Sequence, residues 1–283
     1  MQTTTSRVQD RYVSTDERRY HYREWGDPAN PPLLILHGVT GHSWEFDRMA
    51  DDLADRFHIF ALDQRGHGAS EWAPDYATDR MAEDVADVLA ALDIDRVNII
   101  GHSMGGIVGY LLAARCPDLI ERLVVIDVGP ETVASECGAA ITNDVLGYYA
   151  SSSFDTPDAA VDDYLCGTTG PKAAELRRFV LHNLRHQDDG RWTWRFDARG
   201  LHASFGPDMP SADLQWAALR AVTCPTLFVR GSLSEALTDD TVSQIERTLR
   251  NGSVVPIADA NHDIHIDQFE PLMRVLRPFL TAT

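Results

Sequence analysis

Basic residues are scarce: 25 lysines and arginines stand against 43 aspartates and glutamates, a formal net charge of −18 at pH 7. That deficit speaks against nucleic acid or an anionic membrane as a partner, since both are bound through basic patches. Solubility, or a high-salt habitat, accounts for so acidic a surface. Cysteine is scarce as well. The four present (Cys116, Cys137, Cys166 and Cys224) are far apart and form no C-x-x-C pair. Neither a disulfide frame nor a cysteine zinc site is expected, and they read as reduced thiols of a cytoplasmic protein. Long apolar runs are missing too. No window approaches the roughly 18 apolar residues of a membrane span. The opening segment, MQTTTSRVQDRYVSTDERRY, holds no apolar signal-peptide core. The 283 residues are otherwise ordinary, 44% hydrophobic and 24% charged, which suits one soluble α/β core with an insertion. Oligomeric state stays open, a homodimer included.

Strand and helix signals alternate along the chain. Period-2 alternation in RYHYREW (19–25) predicts an early antiparallel strand, closed by Gly26, Asp27 and Pro28. Short continuous apolar runs then recur at 33–36, 58–62, 97–100, 123–126, 226–229 and 253–257. Such runs mark strands buried on both faces. Helical patterns lie between and after them, at 44–54, 79–92, 104–115, 239–249 and 268–280. The expected architecture is α/β, a mostly parallel sheet flanked by helices. The rhythm breaks once. From 129 to 223 no buried-strand run appears, only amphipathic stretches such as 172–185 and 212–221. A structureless loop of that length is implausible, so a helical cap is expected between two late strands. The core would then comprise 1–128 and 224–283.

The segment VNIIGHSMGG places Gly101-His102-Ser103-Met104-Gly105 where a buried strand passes into a helix. This is the G-x-S-x-G nucleophile elbow. The turn forces Ser103 into a strained backbone conformation, and side chains at 101 and 105 would collide with the neighbouring strand and helix. The helix that follows aims its N-terminal N–H groups at a developing oxyanion. In LLILHGVTGHSW, a strand ends at His37-Gly38, and the next loop can offer the Val39 N–H. Together with the Met104 N–H it would form an oxyanion hole. His37 reads as structural, His42 as pocket-lining or exposed, and Asp63 and Arg65 of DQRGHGAS as loop braces.

The general base belongs late in the chain, where IADANHDIHIDQ offers His262 and His265. His262 is preferred because it sits directly after the last strand, while His265 enters the final helix. The H-D-I-H spacing is not read as a metal site, for want of a third ligand. No metal or organic cofactor is expected. His182 and His186 read as the exposed face of a cap helix.

LHGVTGHSW, DQRGHGAS, GHSMGG, VIDVGPE and NHDIH together resemble the motifs of bacterial α/β-hydrolases near the enol-lactonase, esterase and C–C hydrolase groups. The resemblance spans nearly the whole chain outside the cap, and it implies the α/β-hydrolase fold. In most such enzymes the acid is an aspartate three residues past the glycine that ends the later strand. Here that position is Ser234, followed by Glu235. A branch similar to 2-(acetamidomethylene)succinate hydrolase and some short-chain esterases carries the acid on the earlier strand, where Asp127 stands. Asp127 is the preferred acid and Glu235 the alternative. The catalytic set is thus Ser103, His262 and Asp127, acting on a small-molecule acyl substrate such as an ester, lactone or activated amide. C–C bond hydrolysis is an alternative, as is a receptor or cofactor-free oxygenase on the same fold. Trp192, Trp194, Phe196, Phe179, Tyr148 and Tyr149 suit an apolar acyl group or the packing of the cap. Arg178, Arg185, Arg195 and Arg199 suit a carboxylate clamp or surface ion pairs.

Overall fold

The computed structural model describes residues 8–132, 136–204 and 210–282. Cysteine 137's side chain and residues 1–7 of the opening segment lie outside them. The strands in chain order are β1 (Gln9–Ser14), β2 (Arg19–Trp25), β3 (Pro32–Leu36), β4 (His58–Leu62), β5 (Val97–His102), β6 (Ile120–Ile126), β7 (Leu184–His186), β8 (Trp192–Trp194), β9 (Thr226–Gly231) and β10 (Gly252–Ile257). The helices are α1 (Asp47–Leu53), α2 (Thr78–Ala91), α3 (Met104–Arg115), α4 (Glu136–Ser151), α5 (Pro157–Leu165), α6 (Pro171–His182), α7 (Ala198–Ser204), α8 (Ala212–Ala221), α9 (Asp239–Thr248), α10 (Ile264–Asp267) and α11 (Phe269–Thr281).

Eight strands form one sheet in the order β1-β2-β4-β3-β5-β6-β9-β10. The β1–β2 and β2–β4 pairings are antiparallel and the rest parallel. The apolar runs explain the layering, because successive strand residues face opposite sides. Leu34, Leu36, Ile99, Leu123, Val125 and Phe228 join the apolar cluster that includes α2, α3 and α8. Their neighbours Leu33, Ile35, Ile100, Val124, Leu227 and Val229 join the cluster of α1 and α11. Burying each such side chain contributes about 1.5–3 kcal/mol. Helix α3 is buried on nearly every side from Met104 to Ala113, which fits its uniformly apolar sequence.

Four elements depart from the expected pattern. The run at 253–257 forms the edge strand β10, and of its residues only Ile257 is buried. Strand β1 was not anticipated; all of it but Val13 is exposed, so it carries no buried alternation. The 44–54 helix divides into a 3-10 turn over Ser43–Phe46 and α1. In the insertion, the 172–185 helix ends at His182 and Arg185 enters β7, which pairs with β8 as an antiparallel hairpin.

Residues 127–225 leave and rejoin the sheet between the neighbouring strands β6 and β9. Helix α8, expected within the cap, packs on α3 and α9 instead, and the Tyr110 hydroxyl of α3 donates to Gln215 Oε1 of α8. The preceding part of the insertion docks on the loops after β3 and β4. Asn183 Nδ2 donates to the Thr40 carbonyl (2.8 Å), Asp197 N–H to the Gly66 carbonyl (2.8 Å), and the Tyr76 hydroxyl to Asp197 Oδ2 (2.8 Å).

Candidate active site

Strand β5 delivers Ser103 to the start of α3 with φ 51° and ψ −121°, a left-handed conformation that a residue with a side chain adopts only under constraint. The constraint is visible on both sides. A Cβ on Gly101 would lie 2.3 Å from the Gly105 carbonyl oxygen, and one on Gly105 would lie 2.4 Å from the Leu36 carbonyl oxygen. The backbone is clamped as well. Ser103 N–H donates to Ile126 O (2.9 Å), and Ser103 O accepts from the N–H groups of Gly106 and Ile107.

The loop after β3 runs beside this turn: a Cβ on Gly38 would be 3.3 Å from Ser103 Cβ. The N–H groups of Val39 and Met104 donate to no protein group among the described residues. Met104 is the first residue of α3, where the helix leaves its N–H groups unpaired and its dipole positive. Below the loop, His37 is buried, with Nδ1 donating to Gly38 O (2.8 Å) and Nε2 accepting from Gln64 N–H (3.0 Å). Burial, and next the proximity of His67, push its pKa down to about 3, so it is a neutral brace. Asp63 accepts from His21, Ser43 and Ala69, and the buried Arg65 guanidinium is paired with Asp84; both hold loops. His42 is buried rather than exposed, stacked on Phe179 and donating to its carbonyl at 3.0 Å.

One strand over, β6 ends at Asp127, also in the left-handed region at φ 54° and fully buried. Its carboxylate is surrounded by donors. Oδ1 accepts from Gly231 N–H (2.9 Å), while Oδ2 accepts from His262 Nδ1 (2.8 Å) and from the Ser234 hydroxyl. Such bonds offset the cost of burying the charge. His262 stands on the loop after β10, with 42% of its side chain accessible. Because Nδ1 gives its proton to Asp127, Nε2 carries the free lone pair. Burial opposes charging the ring, but the Asp127 hydrogen bond and the Asp263, Asp127 and Glu45 charges prevail and hold its pKa above the ordinary histidine value.

Glu235, the alternative acid, is exposed, and the partner of His262 Nδ1 is Asp127 instead. His182 and His186 are exposed, the former stacked on Trp44. The aromatic residues Trp194, Phe196 and Tyr149 are buried against one another inside the insertion. The four arginines are engaged elsewhere. Arg178 pairs with Asp47 (2.9 Å), Arg185 lies over Trp72, Arg195 donates to Leu184 O and Arg199 to Ala150 O. A depression of about 600 Å³ lined by Pro32, Arg56, Asn98 and Arg122 lies at the opposite ends of the strands and holds none of these groups.

Sequence reasoning missed two features. Ser234 turns out to be a donor to Asp127, which its departure from the usual aspartate hinted at. Behind the elbow, His102, Glu45 and His265 form a buried cluster, and no local pattern announces it.

The family described as the alpha/beta hydrolase fold matches residues 31–269. The chain belongs to it. Among curated proteins, the esterase Rv0045c of Mycobacterium tuberculosis is 30% identical over 261 residues, covering 90% of this chain and 84% of that protein. The sn-1-specific diacylglycerol lipase ABHD11 of Mus musculus is 29% identical over 267 residues, covering 90% and 82%. Among solved structures, E-2-(acetamidomethylene)succinate hydrolase superposes with a TM-score of 0.86 at 25% identity, covering 98% of this chain and all of that one. This α/β-hydrolase is a hydrolase of the esterase and lipase kind. Among the described residues no helix is long and apolar enough to cross a membrane.

Proposed function

We propose that this α/β-hydrolase cleaves a carboxylic ester, lactone or activated amide through an acyl-enzyme on Ser103. The observation that carries the reading is the 2.8 Å bond from His262 Nδ1 to a fully buried Asp127, on the strand beside the elbow. That bond leaves His262 Nε2 as a base with its proton-accepting lone pair free. Nε2 takes the proton of Ser103 as Oγ attacks the acyl carbon. The negative charge that gathers on the carbonyl oxygen is met by the Val39 and Met104 N–H groups, which have no other partner to give up. Collapse of the tetrahedral intermediate expels the leaving group, protonated by the His262 imidazolium. A water molecule, deprotonated by His262 in turn, attacks the acyl carbon and releases the acid and free Ser103. Asp127 stays ionised throughout and stabilises the imidazolium.

The insertion bears on substrate class. Arg178, Arg185, Arg195 and Arg199 each already contact a protein group, which favours a neutral acyl group over one held by a carboxylate clamp. The names of the esterase and the diacylglycerol lipase among its relatives favour esters. Fluorophosphonate labelling tests the reading: wild-type protein should be labelled and should hydrolyse short-chain p-nitrophenyl esters, and Ser103→Ala should do neither. A folded wild-type protein that resists the label would overturn it.

A further inference from the structure

Beside the elbow, three ligating side chains converge from distant parts of the chain. Glu45 lies in the 3-10 turn after β3, His102 is the last residue of β5, and His265 lies in α10. One ligand atom from each falls within 4.8 Å of the others. The side chains are sequestered, with only 5%, 4% and 3% of their surface accessible. We propose that Glu45, His102 and His265 form a binding site for a zinc-class divalent transition-metal ion, separate from the groups that carry hydrolysis.

Polar atoms without partners are the first argument. His102 Nε2 donates to the His262 carbonyl (3.1 Å), so its other nitrogen, Nδ1, bears a lone pair. That Nδ1 is buried and has no hydrogen-bond partner; the same holds for Glu45 Oε2 and His265 Nδ1. Buried polar atoms are nearly always satisfied, so these orphans need an explanation, and a cation accounts for two of the three, since His265 would ligate through Nε2 and keep its Nδ1 as it is. A cation beside the Glu45 carboxylate satisfies His102 Nδ1 directly and gives Glu45 Oε2 a second route to coordination.

Geometry and chemistry are the second. Tetrahedral coordination with bonds of about 2.0 Å sets ligand atoms about 3.3 Å apart. His102 Nδ1 is 4.0 Å and His265 Nε2 2.7 Å from Glu45 Oε1. One of these pairs must close, and the other open, by about 0.7 Å to reach that spacing, and the two imidazole nitrogens lie within 4.8 Å of each other. Two imidazole nitrogens and one carboxylate oxygen suit zinc and its neighbours, whereas magnesium and calcium call for oxygen ligands throughout. The three ligands leave a fourth position for water. A cavity of about 300 Å³, lined by Glu45 and His265 together with Asp47, Arg48 and Arg178, adjoins the cluster. His262, although it forms the H-D-I-H motif with His265, is excluded as a ligand at Nδ1, which is committed to Asp127.

The test is titration of chelator-stripped, full-length protein with Co²⁺ and Zn²⁺. One equivalent of Co²⁺ should bind with visible ligand-field bands, and Zn²⁺ should displace it. Glu45→Gln and His265→Asn should each weaken binding by about 100-fold or more, while His262→Asn retains the bands. X-ray absorption on the wild-type Zn²⁺ form should show two imidazole ligands, a readout that needs no variant to fold. Absence of stoichiometric binding, fewer than two imidazoles, unchanged affinity in both cluster variants, or loss of binding in His262→Asn would each overturn the proposal. None of these outcomes depends on whether Ser103 reacts with fluorophosphonate.

Discussion

Two histidine–carboxylate pairs flank the elbow at nearly the same distance, and their surroundings differ. In one, His262 Nδ1 lies 2.8 Å from Asp127; in the other, His265 Nε2 lies 2.7 Å from Glu45. Both histidines have pKa values held above the ordinary range, in each case against the opposing effect of burial. The Asp127 pair is half open: the acid is fully buried and the imidazole is 42% accessible. The Glu45 pair is closed, with both side chains nearly inaccessible and Glu45 held at about 2, where its bond and charge contact with His265 outweigh burial. A short bond and a perturbed pKa therefore do not by themselves mark a catalytic dyad. What separates the two is that the His262 ring is open to solvent and keeps an uncommitted Nε2, the atom the proposed mechanism needs. His265 spends its Nε2 on Glu45.

The sharpest way to break this contrast is to neutralise each acid. Asp127→Asn should lower kcat by about 10⁴-fold while the protein stays folded, because the amide presents the wrong partner to His262 Nδ1. Glu235→Gln should leave esterase kinetics close to wild type, and the opposite ranking of these two variants would reassign the acid. Glu45→Gln should act mainly on stability. In metal-free protein it weakens the buried bond to His265 Nε2, at a cost of about 1–3 kcal/mol by chemical denaturation, with a loss in kcat far below that of Asp127→Asn. A Glu45 variant with normal stability and collapsed turnover would erase the distinction.

How much of this the chain disclosed in advance follows from the range of the interactions. The elbow and most of the buried strands are local: glycines two residues either side of Ser103, and apolar runs buried on both faces, the edge strand β10 excepted. That Asp127 would find partners was readable for a related reason, since an aspartate closing the run at β6 must offset its burial, whereas its place as the acid rests on the resemblance. The hairpin of β7 and β8 was not, because three-residue strands are too short to show alternation. Neither was the Glu45–His102–His265 cluster, assembled from three points of the chain that meet only in the tertiary fold. The place of α8 was hidden for the same reason, since an amphipathic helix does not say which neighbour its apolar face will meet.

Ser234 links the two lessons. Its hydroxyl donates to Asp127 Oδ2, the same oxygen that accepts from His262. Ser234→Ala removes one donor from a carboxylate that keeps Gly231 N–H and His262. About a tenfold loss in kcat with KM unchanged is expected, comparable to deleting one net hydrogen bond to a charged group. Steady-state kinetics on a p-nitrophenyl ester would show it, and a loss as large as that of Asp127→Asn would mean that Ser234 does more than orient the acid.

The smallest effect concerns pH. In the proposed mechanism His262 must be neutral to accept the Ser103 proton, so kcat/KM should fall as pH drops through its pKa. That pKa is raised, so the acid limb should lie above the ordinary histidine value of 6.5. After burial, which lowers it, the raising causes are the Asp127 hydrogen bond first and the Asp263 charge next. Asp263→Asn removes a charge 46% exposed to solvent, leaves the Asp127 bond in place, and should move the limb toward lower pH. Solvent screening keeps the shift small. At high pH, where His262 is already neutral, the variant should match the wild type in kcat. A limb that moved up, or a plateau that fell, would show that Asp263 shapes the His262 loop rather than its charge, and would detach the pH profile from the electrostatics of the open pair.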